Sequence, residues 1–319
     1  MGKINLILGT MQFGERLFGK DAQDMIETFA EHGYCELDTA YVYNEGESER
    51  LIGAALQNLN SSLSIATKVN PRISGRLDRE AVLTQFSESL QRMGIEHTDI
   101  LYLHFPDPNT PVESALEGCA QLHAKGKFRE LGLSNFPAWL VAEAYNICKQ
   151  RGWVLPTVYE GVYNPLSRHA ERELNLALDY YGFRFYGYNP LAGGLMTDKY
   201  KDKAIKDGRF TNRPNYQKRY WHDSFFNAIN EIKSVSEKHD INIAEAVYRW
   251  LAYHSMLNPE RGDGIIIGAS TNKQLLQNIS YINRGSLPDD VVKAIEDAWT
   301  VSKVDAPEYF KFYEPGNAK

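Results

Sequence analysis

Tyr34-Cys35-Glu36-Leu37-Asp38-Thr39-Ala40-Tyr41-Val42-Tyr43 opens as a short run, stops on an acid at Asp38 and turns into a loop that carries Tyr43. The same punctuation recurs downstream at roughly even spacing, with Lys68, His104, Asn135, Glu160 and Tyr188 each closing an apolar run. The runs Leu6-Ile7-Leu8, Leu63-Ser64-Ile65-Ala66, Ile100-Leu101-Tyr102-Leu103, Leu131-Gly132-Leu133, Val154 to Tyr159 and Phe183-Arg184-Phe185-Tyr186 are short and rich in β-branched or aromatic residues, as buried strands are. Between them apolar residues fall three and four apart, as in Met25, Ile26 and Phe29, or Val82, Phe86 and Leu90. These segments read as helices packed by one face. An eighth strand, Gly264 to Ile267, precedes a helical stretch at Asn272–Ile282. Parallel strands need crossover helices, and eight of them close into a (β/α)₈ TIM barrel. An open doubly wound sheet also alternates strand and helix, but it gathers its polar strand ends at one switch point. Six consecutive strands ending in hydrogen-bonding side chains favour the barrel, whose strands all deliver their C-terminal ends to one mouth.

The chain has 319 residues and no Pro/Gly/Ser-rich or charge-block linker, so residues 1–319 are expected to form one barrel domain. With 41 acidic and 35 basic residues the formal charge is −6, which argues against a nucleic-acid-tracking surface. No run approaches the ~18 apolar residues of a bilayer span, and the N-terminus starts almost directly in a strand. A soluble, cytoplasmic protein is expected. Cys35, Cys119 and Cys148 are widely spaced and form no Cys-x-x-Cys pair, so they read as reduced thiols. The βα period breaks between Tyr188 and Gly268, so the seventh βα loop carries a long insertion. Its first part, Thr197–Tyr220, is polar and basic, but Tyr200, Phe210, Tyr216, Tyr220 and Trp221 are interleaved in and just after it. Disordered segments are usually poor in aromatics, so residues 190–222 are expected to act as a lid or cofactor strap over the mouth.

Asp38, Lys68 and His104 end three successive strands, and adjacent strands lie ~4.8 Å apart, so Asp38 and Lys68 can pair beneath Tyr43. A tyrosine hydroxyl titrates near ~10, and a neighbouring ammonium is expected to lower that value. Tyr43 then serves as an acid toward a carbonyl oxygen, with His104 donating a second hydrogen bond. Singly, each residue has a bland alternative: a helix cap, a solvated strand end, a packed histidine. Their joint position is what points to chemistry.

With Thr67-Lys68, Leu103-His104 and Gly132-Leu133-Ser134-Asn135, this pattern resembles the aldo-keto reductases. The resemblance is closest to the aflatoxin aldehyde and succinic semialdehyde reductase branch, in Tyr102 to Asp107, Leu155 to Tyr159, Asn189 to Leu195 and Arg219-Tyr220-Trp221, and it runs from residue 4 to residue 311. It implies a (β/α)₈ barrel, hydride transfer between NADPH/NADP⁺ and an aldehyde or ketone, and a homodimer. It implies further that Ser134, Asn135 and Glu160 hold the nicotinamide carboxamide, that Tyr188 stacks on the ring, and that Asn189 to Lys199, with Leu191, Gly193, Gly194 and Leu195, wraps the pyrophosphate. Arg209, Ser270, Gln274, Gln277 and Asn278 would hold the adenosine end, and Tyr216, Arg219 and Lys311 the substrate. Glu160 stands where the family has Gln. Ionised, it would attract the cationic oxidised ring; protonated, it would behave like Gln. Gly193-Gly194 lets backbone approach a diphosphate, and Ser270 precedes a helix N-terminus that favours an anion.

Other readings are weaker. A metal-dependent barrel hydrolase wants His or carboxylate ligands from several strand ends, yet Leu8-Gly9-Thr10-Met11 offers none and His104 is the one histidine at a strand end. Gly132-Leu133-Ser134-Asn135-Phe136 lacks the second glycine of a nucleophile elbow. A nucleotide-binding regulatory subunit of the same fold with slow turnover is the alternative function, against which the full set of Asp38, Tyr43, Lys68 and His104 argues.

Overall fold

The computed structural model describes residues 2–59, 62–200 and 209–314. Eight strands, β1 (Asn5–Gly9), β2 (Glu36–Asp38), β3 (Ser64–Val69), β4 (Thr98–Leu103), β5 (Phe128–Ser134), β6 (Pro156–Val162), β7 (Arg184–Tyr188) and β8 (Gly264–Ile267), close into a parallel barrel in sequence order. The barrel inferred from the strand ends is therefore the observed fold. Two boundaries shift. Tyr34 and Cys35 precede β2, and Pro156, not Val154, opens β6.

Strand residues alternate between the barrel interior and the helix layer. Inside, Ile7, Ala66, Ile100, Tyr102, Val158, Tyr186 and Ile266 form one apolar cluster. The larger core lies between barrel and helices, where Met25, Ile26 and Phe29 of the helix Gly19–Glu31 are buried. Gly132 is dictated by packing: a Cβ there would lie 2.2 Å from Cδ1 of Tyr102, and the β5–β6 register shifts between Leu131 and Gly132. That shift sets Ser134 opposite Glu160.

Between β7 and β8 the chain adds the helices Pro214–Tyr220, Asp223–Ser236 and Ile243–Tyr253. The last helix, Asp289–Ser302, packs against Asp223–Ser236. The insertion reaches the loop beyond β1, two strands round the barrel from β7, where Arg213 pairs with Glu15 at 2.7 Å. Among the described residues no helix is long and apolar enough to cross a membrane.

Candidate active site

The C-terminal ends of the strands open into a cavity of about 1070 Å³, at the upper end of typical ligand sites. At its inner end Asp38 closes β2 and Lys68 sits one residue before the end of β3, fully buried behind the wall. Lys68 Nζ donates to both carboxylate oxygens of Asp38 at 2.6 Å and to the carbonyl of Thr39 at 2.7 Å. Nζ also lies 3.3 Å from Oε2 of Glu160, within ion-pair range but outside hydrogen-bond alignment, so that oxygen is buried without a partner. One ammonium thus faces two carboxyl groups.

Tyr43 reaches this cluster through an unusual turn. Asn44, Glu45 and Gly46 follow it with φ of 47°, 58° and 84°, and Asn44 is pinned by donating its side-chain amide to the carbonyls of Met11 and Phe13. Successive left-handed residues store strain, and here they fold the tyrosine back over the barrel end. Lys68 Nζ lies 5.2 Å from the Tyr43 ring centroid, and the ring meets His104 edge-on at 6.0 Å.

The electrostatics correct one expectation. Tyr43 stands above the ordinary tyrosine value, not below it: burial raises it, Lys68 opposes the rise, and Asp38 and Glu160 reinforce it. The lowering expected from Lys68 is present but is outweighed, by burial first and then by Asp38 and Glu160. Glu160 is pushed up to about 8, by burial first and by Asp38 next. Asp38 is raised by burial too, but Lys68 opposes that rise. Asp38, with two hydrogen bonds from Lys68, is the ionised member of the pair at neutral pH, and Glu160 the protonated one.

Asn70 was missed by the sequence reading. Its Oδ1 accepts from the backbone N–H of Arg72 at 3.0 Å, which turns its amide N–H₂ toward His104 Nδ1 at 3.1 Å. An accepting Nδ1 leaves the proton on Nε2, so the imidazole is a neutral donor. Burial, then the charges of Lys68 and Arg72, hold His104 well below the usual histidine range, in agreement with that tautomer.

Asn135, at φ 62°, donates to the carbonyl of His104 and to Ser134 Oγ, and accepts from the hydroxyl of Tyr188 at 2.7 Å. Beyond Tyr188 the cavity runs past Asn189, Leu191, Gly193, Gly194 and Lys199 to Ser270, Gln274, Gln277 and Asn278. Gly193 has φ 71°, and a Cβ there would lie 2.6 Å from Tyr216. Ser270 donates to Gln274 Oε1 from both its backbone N–H and its hydroxyl, and Thr271 caps the helix Asn272–Ile282. Besides Lys68, two further expected site residues do not line the cavity: Ser134 is buried behind Asn135, and the Leu195 side chain is buried in the core. The side chain of Arg209 lies outside the described residues. Tyr216, Arg219 and Lys311 line the outer end together with Arg72, also missed from sequence.

The sequence matches the Aldo/keto reductase family over residues 5–300. The chain belongs to that family. It is accordingly an oxidoreductase acting on carbonyl groups. Among this reductase's relatives, aflatoxin B1 aldehyde reductase member 2 of Rattus norvegicus is 41% identical over 319 residues, covering 96% of this chain and 87% of the relative. Human aldo-keto reductase family 7 member A3 is 41% identical, covering 96% of each chain. A fungal oxidoreductase of Leptosphaeria maculans is 33% identical, covering 95% and 96%.

Proposed function

We propose that this reductase uses NADPH to reduce aldehydes, among them semialdehydes, dicarbonyls and aromatic aldehydes, to alcohols, with Tyr43 as general acid. The observation that carries the reading is the pairing of two neutral donors, the Tyr43 hydroxyl and His104 Nε2–H, over a buried ammonium at the inner end of the cavity.

The residues fit a dinucleotide. The unpartnered Oε2 of Glu160 and the spare lone pair of Asn135 Oδ1 can meet a carboxamide, and the ring of Tyr188 offers a stacking face. Gly193, Gly194 and Lys199 would flank the phosphates, and Ser270, Gln274, Gln277 and Asn278 at one helix start would hold the adenosine end. The described parts of the expected strap, residues 190–200 and 209–222, would close over it, latched by Arg213 and Glu15, while 201–208 lie outside the described residues.

NADPH, when bound, supplies the hydride that adds to the carbonyl carbon. Negative charge then grows on the carbonyl oxygen, where the preoriented N–H of His104 and the hydroxyl of Tyr43 both donate. Tyr43 gives up its proton because an alkoxide is a far stronger base than a phenolate, even one raised by burial. Lys68 stabilises the phenolate, Asp38 holds Lys68 in place, and solvent returns the proton. A second polar or anionic group on the substrate would meet Arg219 and Lys311.

Tyr43→Phe removes only the acidic hydroxyl. It is expected to lower kcat by ~10²–10⁴-fold while NADPH still binds, measured by calorimetry. Retention of half the wild-type turnover eliminates Tyr43 as the acid.

A further inference from the structure

Three cations from three separate segments line the outer end of the cavity: Arg72 after β3, Arg219 in the helix Pro214–Tyr220, and Lys311 in the C-terminal segment. The guanidinium of Arg72 lies 5.3 Å from the ring centroid of Phe105, which itself stacks on His104 at 4.7 Å and 17°. Arg72 therefore stands two stacked layers from the imidazole that faces the reacting carbonyl. Arg219 lies 5.9 Å from the ring centroid of Tyr216 and 5.8 Å from that of Tyr220. Lys311 is anchored by its backbone N–H, which donates to the carbonyl of Asn135 at 3.0 Å.

These charges repel one another. Burial and then the charge of Arg219 lower Arg72, and burial, Arg219 and Arg72 lower Lys311. The opposing carboxylate felt by Lys311 is Glu314, and it counts for less than either arginine. Elsewhere in the cavity wall Arg213 is neutralised by Glu15. Here like charges are held together, the two arginines on aromatic rings, an arrangement that costs stability until an anion enters.

A single carboxylate engages one arginine fork and leaves two cations facing each other. We propose that Arg72, Arg219 and Lys311 form a subsite for a dianionic group on a short-chain aldehyde, either a phosphate monoester or a pair of carboxylates. The proposal rests on the aldehyde-reductase reading and extends it from one charge to two. Arginine forks suit the planar, bidentate recognition of both anions, and a phosphate ester carries about −1.5 to −2 at pH 7.

The test compares kcat/KM for glyceraldehyde 3-phosphate with that for uncharged glyceraldehyde, and for succinic semialdehyde with butanal, in wild type, Arg72→Leu and Arg72→Lys. The phosphate preference is expected to exceed the monocarboxylate preference in wild type, to fall about tenfold in Arg72→Leu, and to recover partly in Arg72→Lys. Calorimetric binding of inorganic phosphate and of malonate separates the two dianions and needs no turnover. An absence of 4-nitrobenzaldehyde reduction would overturn the reductase reading alone, with the binding measurements still judging the anion site. An equal wild-type preference for one and two charges, or an unchanged ratio in Arg72→Leu, would overturn the dianion subsite.

Discussion

Lys68 and Arg72 stand four residues apart on one stretch of chain, yet they live in opposite settings. Lys68 is sealed in the barrel, its ammonium making three hydrogen bonds to Asp38 and Thr39. Arg72 is half-buried on the ring of Phe105, and among the described residues it has no carboxylate within ion-pair range. A rigid, neutralised inner end serves a reaction that is the same for every carbonyl, whereas an uncompensated rim can discriminate by what the rest of the substrate carries. If that division is right, changes at the inner end alter kcat for all substrates alike, and changes at the rim alter the ratio between substrates.

Lys68→Met should show the first pattern most strongly. It strips Asp38 of two hydrogen bonds and leaves a buried carboxylate beside Glu160, a loss of ~3–5 kcal/mol in comparable buried pairs. Turnover is expected to fall ~10²–10⁴-fold for charged and uncharged aldehydes equally, with a lower Tm. A loss confined to anionic substrates would break the division between floor and rim.

Asn70→Ala probes the same end more gently. Without the amide, nothing fixes Nδ1 of His104 as the acceptor, and the ring can carry its proton on the wrong nitrogen. One lost neutral hydrogen bond is worth ~0.5–1.5 kcal/mol, so kcat should drop about tenfold at most, with KM little changed. NMR of the imidazole nitrogens reports the tautomer directly. An unchanged Nε2–H population in the variant would remove Asn70 from the site.

The strands were legible because each is a short apolar run that ends on a polar residue, and a closed barrel turns those ends into one site. Asp38, Lys68 and His104 were readable for that reason, and Tyr43 from its place in the loop five residues after Asp38. Asn70 and Arg72 were not, since both lie beyond β3 in a loop, where period gives no signal. Asn70 could have been suspected, because it follows Lys68 by two and shares its strand parity. Whether Lys68 would lower or merely offset the Tyr43 value could not be read from spacing at all. It depends first on how deeply the hydroxyl is buried, and then on Asp38 and Glu160 facing the same ammonium, the latter a relation between β3 and β6 that only closure creates.

Glu160 gives the smallest effect at neutral pH and the sharpest test of how the inner end is charged. Its carboxyl stands at about 8 against an ordinary value of 4.5, so between those pH values the folded chain holds a proton that the unfolded chain releases. Stability from this group is thus full below pH 4.5 and lost as pH rises toward 8. Glu160→Gln abolishes the titration, and its Tm relative to wild type should climb across that window. The expected attraction for a cationic oxidised ring is likewise confined to pH above about 8, where the carboxyl ionises. At an effective dielectric near 20, two unit charges several Å apart interact by ~2–4 kcal/mol before desolvation is subtracted. The wild-type preference for NADP⁺ over NADPH should therefore rise by about tenfold from pH 7 to pH 9, and stay flat in Glu160→Gln. Dissociation constants for both nucleotides at the two pH values decide the matter. Parallel behaviour of wild type and variant would mean that Glu160 is ionised or neutral throughout, and that the coupling among Asp38, Lys68 and Glu160 is not what holds its proton.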